Sequence, residues 1–396
     1  MEIKVKDVSN TKKKIEIEIN AEEFNVFYDK AFKLMIKELE LPGFRKGMVP
    51  ETMAKEKINE NNVLNYAAEL IINEKWNEYL KETDLEIVSQ PVIDVIKVAK
   101  DNPFVFSAEV EILKDIDLPD FKAIAKTIKK QEVKVEEKEI NDAITWLQQS
   151  RATFKDKEGA VETGDFVEIT LFENEKEQKD GFIVGKGHDL DNILIDMIIG
   201  QEKQVKPGLK IILNSVKKVE IPEINDEFVK TLGQFNTTEE LKKNIEQGLK
   251  QEKEIAIKQK QRAEVLEKIA AKVKIDIPQS LVEREAQGLI SNLQNRVKNE
   301  LNISFEEYLD QTKKTLEQVQ KEFEKIAHDR VRNFLIMRQI IKNQGIEVKK
   351  EEIEARIKEI LANYPEESKK QIDLERIKLY IEDEIKNEKA FALLNL

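Results

Sequence analysis

Hydrophobic and charged residues alternate at the start of the chain. Ile3 and Val5 stand between lysines, and after a turn at Asn10 the alternation resumes with Ile15, Ile17 and Ile19 between charged residues. A period of two is typical of strands that bury one face, and a polar turn between two such runs indicates a hairpin. We therefore predict two paired strands before residue 20.

The period then changes to that of a helix. Asn20 followed by Glu23 is typical of a capping box, and the apolar stripe that starts there ends at Pro42. A second helical stripe follows, and strand alternation returns between residues 91 and 112. An α+β domain of residues 1–113 accounts for this order. The first stripe consists of Phe24, Phe27, Tyr28, Ala31, Met35 and Leu39.

Three further segments complete the predicted organisation. Residues 114–152 read as a strand and then a helix that connect to a helical body. Residues 153–220 contain glycine-punctuated β-type runs at 166–171 and 209–216 and form a small β-rich domain. Residues 221–396 are almost wholly helical, with capping boxes at Thr237 and Ser304. The overall prediction is an α+β multidomain protein whose C-terminal helices are interrupted at Gly233, Pro278, Asn302, Gly345 and Pro365.

The amino-acid composition excludes several classes of function. The 396 residues include 36% charged residues, no cysteine and two histidines, and the formal net charge is −12. The absence of cysteine excludes disulfides and thiolate metal sites, and no metal or organic cofactor is expected. The negative charge restricts any contact with RNA to a local basic feature. No apolar run approaches the ~18 residues of a membrane span, so we expect a cytoplasmic protein without a membrane partner.

Residues 41–50 (LPGFRKGMVP) form the most informative loop. Gly43 and Gly47 permit a thin, tightly turned tip, and prolines stiffen both ends. Between the glycines, Phe44, Arg45 and Lys46 present one apolar and two cationic side chains, which suit phosphates, carboxylates and an apolar pocket. The alternative is an ordinary turn between helices with Phe44 folded back into the core. Spacing alone leaves both readings open.

The run GFRKGMVP resembles the ribosome-binding signature of trigger factor, a family of bacterial nascent-chain chaperones. One departure is Met48, where members of the family often carry lysine. Further similar runs follow in the family's order along most of the chain. They are SQPVID (residues 89–94), IPEINDEFVKTLGQFNTTEELKKNI (221–245), IPQSLVERE (277–285), SFEEYL (304–309) and GIEVKKEEIEAR (345–356).

The resemblance implies a ribosome-associated, ATP-independent chaperone that binds nascent polypeptides at the exit tunnel. The loop residues Gly43, Phe44, Arg45, Lys46 and Gly47 would then dock on the large ribosomal subunit, on a ribosomal protein and nearby ribosomal RNA. Nascent and unfolded polypeptides would be the other partners. A homodimer of the free protein is left open.

The small β-rich domain resembles an FKBP-type peptidyl-prolyl cis-trans isomerase (rotamase) domain in trimmed form. The family continues its Gly-x-Gly with a run that supplies an aromatic pocket floor, but this chain continues Gly187 with HDLDNI, where Ile193 is the nearest substitute. We therefore expect weak or absent isomerase activity, and no confident catalytic residue. The residues left to line a pocket are Phe166, Phe172, Phe182, Leu190, Ile193 and Leu194.

Scattered apolar residues in the helical body (221–396) suit weak, multipoint binding of unfolded clients, although each of them can equally belong to the internal core. Two other functions remain as alternatives: an isomerase whose helices only present substrate, and a helical interaction protein without a ribosome role. The client-binding candidates are Phe305, Tyr308, Leu309, Phe323, Phe334, Met337 and Phe391.

Overall fold

The computed structural model describes residues 1–173, 176–362, 365, 369 and 373–395. It divides into two compact units, the first made of Met1–Lys129 and Gln261–Leu396 and the second of Lys130–Lys260. The strands are β1 (Glu2–Asp7), β2 (Lys12–Ile19), β3 (Val92–Lys97), β4 (Phe104–Glu111), β5 (Thr153–Asp156), β6 (Asp165–Glu173), β7 (Lys176–Ile183), β8 (Glu202–Lys206) and β9 (Leu209–Glu220).

The helices of the first unit and of its boundary with the second are α1 (Ala21–Glu38), α2 (Glu51–Lys57), α3 (Glu60–Glu82), α4 (Phe121–Ala125), α8 (Thr238–Ala270), α9 (Gln279–Arg296), α10 (Phe305–Thr312), α11 (Leu316–Gln344), α12 (Lys350–Ala362) and α13 (Leu374–Leu393). The second unit contains α5 (Glu137–Ser150), α6 (Asp191–Leu194) and α7 (Asp226–Thr231). A single π-helical turn, Val297–Leu301, extends α9.

The N-terminal sheet is antiparallel in the order β1-β2-β4-β3. The predicted hairpin and the later strand pair are therefore confirmed. Ile15, Ile17 and Ile19 point to one face and are fully buried, as the period of two requires. Helices α1 and α3 share this core, where the rings of Phe24 and Phe104 stack with centroids 5.0 Å apart. This core fixes α1, the helix that precedes the 41–50 loop.

The helical part of the first unit has two cores. One joins α9 to α11 through Leu281, Val282, Val331 and Leu335. The other gathers α4, the C-terminal end of α8, the second half of α11 and the end of α13. Residues 118–128 thus pack against helices that lie more than a hundred residues later in the chain.

The second unit is built on a five-stranded antiparallel sheet. Its main order is β5-β9-β6-β7, and β8 pairs with β9. Val167 and Ile169 of β6 point into the core together with Leu194 and Met197 from the α6 region. The two predicted β-type runs correspond to β6 and β9, which pair with each other along their length, with a bulge opposite Glu168 and Ile169.

The strand predicted within residues 114–152 is wrong. Residues 121–125 are helical and residues 129–136 have no regular structure. Among the described residues, no strand pairs with this segment. Instead the Nζ of Lys253 donates to the carbonyl of Lys134 at 2.7 Å, so a side chain of α8 satisfies a carbonyl that a strand partner would otherwise bind. The helix predicted after it is confirmed as α5.

The predicted helix interruptions agree with the structure wherever it is described. Pro278 precedes α9, Asn302 and Gly345 adopt left-handed backbone conformations after helix ends, and Gly233 follows α7 with a positive φ. Pro365 lies outside any helix, but most of its neighbours (363–364, 366–368 and 370–372) lie outside the described residues.

Candidate docking and binding surfaces

The 41–50 loop consists of two successive tight turns. The N–H of Phe44 donates to the carbonyl of Leu41 at 3.0 Å, and the N–H of Met48 donates to the carbonyl of Arg45 at 2.9 Å. In each turn the third residue is a glycine with positive φ, Gly43 at 91° and Gly47 at 80°. This is type II geometry, which side-chain-bearing residues adopt only with strain. The glycines therefore allow the chain to reverse twice within eight residues.

One buried residue holds the loop against the domain. Val49 packs with Ile36 of α1 and Ala54 of α2 in a small core of their own. Phe44 belongs to no buried cluster of the described residues, and 38% of its surface is exposed. The alternative in which Phe44 folds back into the core is therefore not what the structure shows.

The two cationic side chains of the loop differ in whether they form an ion pair. The Nζ of Lys46 lies 2.7 Å from a carboxylate oxygen of Glu38, and this hydrogen bond raises the pKa of the Lys46 amine. Arg45 is exposed and has no ion-pair partner among the described residues. The carboxylate of Glu38 was not anticipated from sequence, because it stands eight residues before Lys46 and no local spacing rule links them. Arg45 is thus the cation that is free to bind a partner directly.

The six isomerase-pocket candidates lie on opposite sides of the second unit's sheet. Leu190 and Leu194 are buried in its core, with Phe182 and Ile193 packed against them. Phe166 and Phe172 alternate with the buried residues of β6 and so lie on the other face of the sheet. The structure therefore brings together four candidates and separates two.

A cavity of about 480 Å³ opens on the core side of this sheet. Its walls include Leu171, Leu190, Val205 and the imidazole of His188. The His188 ring stacks on Phe182 with centroids 3.6 Å apart, so this aromatic face is already covered. Apart from the His188 imidazole the walls of the cavity are aliphatic and polar, with no Phe, Tyr or Trp among the described residues that line it.

The client-binding candidates divide into buried residues and partly exposed residues. Met337 and Phe391 are buried in a core of the helical body, so they contribute to its stability and are not available as surface. Phe334 is 55% exposed beside a groove of about 370 Å³ between α9 and α11. The rings of Phe305 and Tyr308 stack with each other at 6.0 Å, and they are half-buried like Leu309 and Phe323.

The described residues contain neither a membrane-spanning helix nor a cluster of metal ligands. No described helix is both long enough and apolar enough to cross a membrane. Within the same part of the chain, no group of three or more acidic or histidine side chains is placed to hold a metal ion.

Comparisons with known proteins address the whole chain. The family model "Bacterial trigger factor protein (TF)" matches residues 1–147, and "Bacterial trigger factor protein (TF) C-terminus" matches residues 237–395. The chain belongs to the trigger factor family. The resemblance inferred from the loop and the later runs is thereby confirmed, and so is a multidomain α+β fold with a long-helix C-terminal region.

Individual trigger factors are similar over nearly their full length. The one from Caldicellulosiruptor saccharolyticus is 28% identical and is covered to 94%, and the one from Clostridium botulinum (strain Loch Maree / Type A3) is 26% identical and is covered to 98%. Both alignments include 100% of this chain. A solved structure described as "Promiscuous Substrate Recognition in Folding and Assembly Activities of the Trigger Factor Chaperone" is 24% identical, has a TM-score of 0.48 and is covered to 99%, with 100% of this chain.

Membership of this family supports a ribosome-associated chaperone of folding proteins, with unfolded polypeptides and the ribosome as its partners. The family models do not identify the residues that make each contact. Neither model extends over residues 148–236.

Proposed function

We propose that the chain docks on the ribosome through the loop of residues 41–50 and shields emerging polypeptides with its helical body. The observation that carries this proposal is the exposed tip formed by Phe44, Arg45 and Lys46 on two glycine turns. A rigid loop loses little conformational entropy on binding, and its side chains combine an apolar plug with cations. The expected site is the large subunit beside the exit tunnel, on a ribosomal protein and adjoining RNA, in the cytoplasm.

Release of a bound client does not require a nucleotide in this proposal. Phe334 and the groove between α9 and α11 expose apolar surface in a small patch. The half-buried Phe305, Tyr308, Leu309 and Phe323 add further small areas. Contacts of this size are individually weak, so burial inside a folding client outcompetes them. The free protein is proposed to be able to pair with a second copy.

The proposal is tested by co-sedimentation with purified ribosomes. Replacing Phe44, Arg45 and Lys46 together by alanine should abolish co-sedimentation while the circular dichroism and the thermal unfolding of the protein stay unchanged. A matched control is the triple alanine variant of Ile255, Lys258 and Lys260 on α8, which also removes one exposed apolar residue and two exposed lysines. Equal sedimentation of the loop variant and the wild type would refute the docking site.

A second candidate function, prolyl isomerisation, has the core-side cavity in its favour. Desolvation of an X-Pro amide in an aromatic-walled pocket lowers a barrier of roughly 18–20 kcal/mol. Here Phe182 is covered by His188, while Phe166 and Phe172 lie on the other face. These placements favour weak or absent catalysis, and we propose the chaperone role as the main one.

A further inference from the structure

The carboxylate of Glu38, at the end of α1, pairs with a lysine of the 41–50 loop. We propose that Glu38 competes with an RNA phosphate of the ribosome for the amine of Lys46, and thereby limits the affinity and the lifetime of docking. This inference rests on the proposed docking function and adds a residue outside the loop that regulates it.

The second turn of the loop lies against the last turn of α1. A Cβ added to Gly47 would lie 3.5 Å from the carbonyl oxygen of Lys37 and 3.8 Å from its Cα. Two residues later, Val49 packs with Ile36 of the same helix. Because these contacts fix the backbone on the C-terminal side of Lys46, its side chain starts beside the end of α1.

Helix stability does not account for a glutamate at position 38. Glu38 is the last residue of α1, where the negative end of the helix dipole disfavours a carboxylate. Its side chain is 76% exposed, and Lys46 is its one ion-pair partner among the described residues. The favourable interaction of Glu38 is therefore the one with the loop.

The ion pair is open to exchange, because both of its side chains are in contact with solvent. The Lys46 side chain is 51% exposed, and its Nζ lies 2.7 Å from the Oε2 of Glu38. Exposed ion pairs are weak, because water and salt screen them. A phosphate oxygen accepts the same charge-assisted hydrogen bond, and neighbouring phosphates of an RNA strand add to its attraction. Docking can therefore transfer Lys46 from Glu38 to RNA, with a small net gain.

The neighbouring cation of the loop needs no such exchange. Arg45 is exposed and has no ion-pair partner in the part of the chain that the structure describes. Arg45 thus contributes its whole contact to docking, whereas Lys46 contributes only the difference between a phosphate and Glu38. The carboxylate weakens docking in this way without altering the exposed tip, and the bound state dissociates sooner.

Salt dependence distinguishes this competition from a simple change of net charge. When Lys46 leaves Glu38 for a phosphate, the phosphate releases a counterion while the freed carboxylate attracts one from solution. The net ion release of this contact is then small. A Glu38→Gln variant frees no carboxylate, so its plot of log affinity against log salt concentration should be steeper by up to about one unit.

The test measures the dissociation constant of the fluorescently labelled full chain for the isolated large ribosomal subunit over a series of salt concentrations. We expect Glu38→Gln to tighten binding about threefold at low salt, mainly through slower dissociation. In a Lys46→Met background the same substitution should change the affinity by less than about 1.5-fold. Thermal unfolding should not be weakened, because a neutral residue suits the end of α1.

The matched control is Glu40→Gln, which removes the same charge two residues further along the chain. Glu40 is exposed, has no ion-pair partner among the described residues and acts on Lys46 through its charge alone. We expect it to change the affinity by less than about 1.5-fold. Unchanged or weaker binding of Glu38→Gln, an equal gain in Glu40→Gln, or a full gain in the Lys46→Met background would each overturn the proposal.

The triple alanine variant of Phe44, Arg45 and Lys46 separates failure of this inference from failure of the docking site. Weak binding of that variant together with unchanged binding of Glu38→Gln would refute the competition alone. Wild-type binding of the triple variant would refute the docking site, and the role of Glu38 with it.

Discussion

At the scale of single residues, the proposed docking loop (residues 41–50) depends on a few side chains with distinct tasks. Two glycines permit the turns, Val49 anchors them, and Phe44 with Arg45 remains exposed. Turn chemistry is local, so the sequence alone could indicate a thin loop with these residues at its tip. Exposure of Phe44 could not be predicted in the same way, because it depends on whether the surrounding core has room for the ring.

The Met48 position gives a prediction at this scale. Its side chain is 71% exposed next to Arg45 and Lys46, so a lysine there would fit and add a cation to the loop. We expect Met48→Lys to tighten ribosome binding severalfold at low salt and to steepen its salt dependence, because each added phosphate contact releases further counterions. The measurement is the ribosome affinity over a series of salt concentrations.

The control for this change is Met53→Lys on α2, which introduces the same side chain at an exposed position outside the loop. Equal affinities of the Met48→Lys and Met53→Lys variants would contradict the assignment of the loop as the contact surface.

Gln339 shows a residue whose role the sequence did not reveal. It interrupts an apolar stripe of α11, yet it is buried, and its Oε1 accepts from the N–H of Ile116 at 3.0 Å while its Nε2 donates to Asn343. The link spans more than two hundred residues, so no local pattern could indicate it. Such a buried polar residue fixes where residues 113–116 cross the helix.

We expect Gln339→Leu to lower the free energy of unfolding by about 1–3 kcal/mol, because the N–H of the half-buried Ile116 loses its acceptor. Urea denaturation and hydrogen exchange at the Ile116 amide measure the loss. The exposed Gln320→Leu on the same helix should change stability by less than about 0.5 kcal/mol. Slow exchange at Ile116 in the Gln339→Leu variant would contradict this role.

At the scale of elements, helix starts were the most predictable features. Asn20 accepts from the N–H of Glu23 at 2.8 Å, and Ser304 forms the complete capping box with Glu307. Glu23, by contrast, forms an ion pair with Lys75 of α3 at 2.6 Å. The capping residue therefore marks where the helix starts. Whether the glutamate three residues later bonds back to it depends on partners elsewhere in the fold.

Strand pairing was less predictable than helix starts. The runs of β6 and β9 were recognised, but a strand was wrongly expected near Lys134, where the carbonyl binds a lysine of α8 instead. The face on which each aromatic residue lies also follows from register. Phe166 and Phe172 share a face because they are six residues apart on one strand, so a period-two count separates them from the core residues of the same strand.

The position of Phe166 and Phe172 away from the core leads to a prediction about prolyl isomerase activity. We expect the protein to accelerate prolyl isomerisation of a short peptide weakly or not at all, because Phe182 is covered by His188 and two further aromatics face away from the cavity. A protease-free isomerisation assay measures the rate, with an FKBP-type isomerase as the positive control. A rate close to that of the positive control would show that the cavity is catalytic despite its aliphatic walls.

At the scale of the whole molecule, the first compact unit is formed by two separate segments of the chain. Residues 130–260 form a unit of their own, and the C-terminal helices pack with α4 and with residues that follow the N-terminal sheet. The order of family-like runs predicted several modules, but hydrophobic periodicity alone does not tell which distant helices share a core. Relatives from two genera align with 100% of the chain.

The central claim is that the exposed Phe44, Arg45 and Lys46 carry ribosome binding. It is tested most directly by the dissociation constant of the fluorescently labelled protein for the isolated large ribosomal subunit. The account predicts that the triple alanine variant of these residues binds at least about tenfold more weakly, while the triple variant of Ile255, Lys258 and Lys260 binds like the wild type. Equal dissociation constants for the loop variant and the wild type would contradict it.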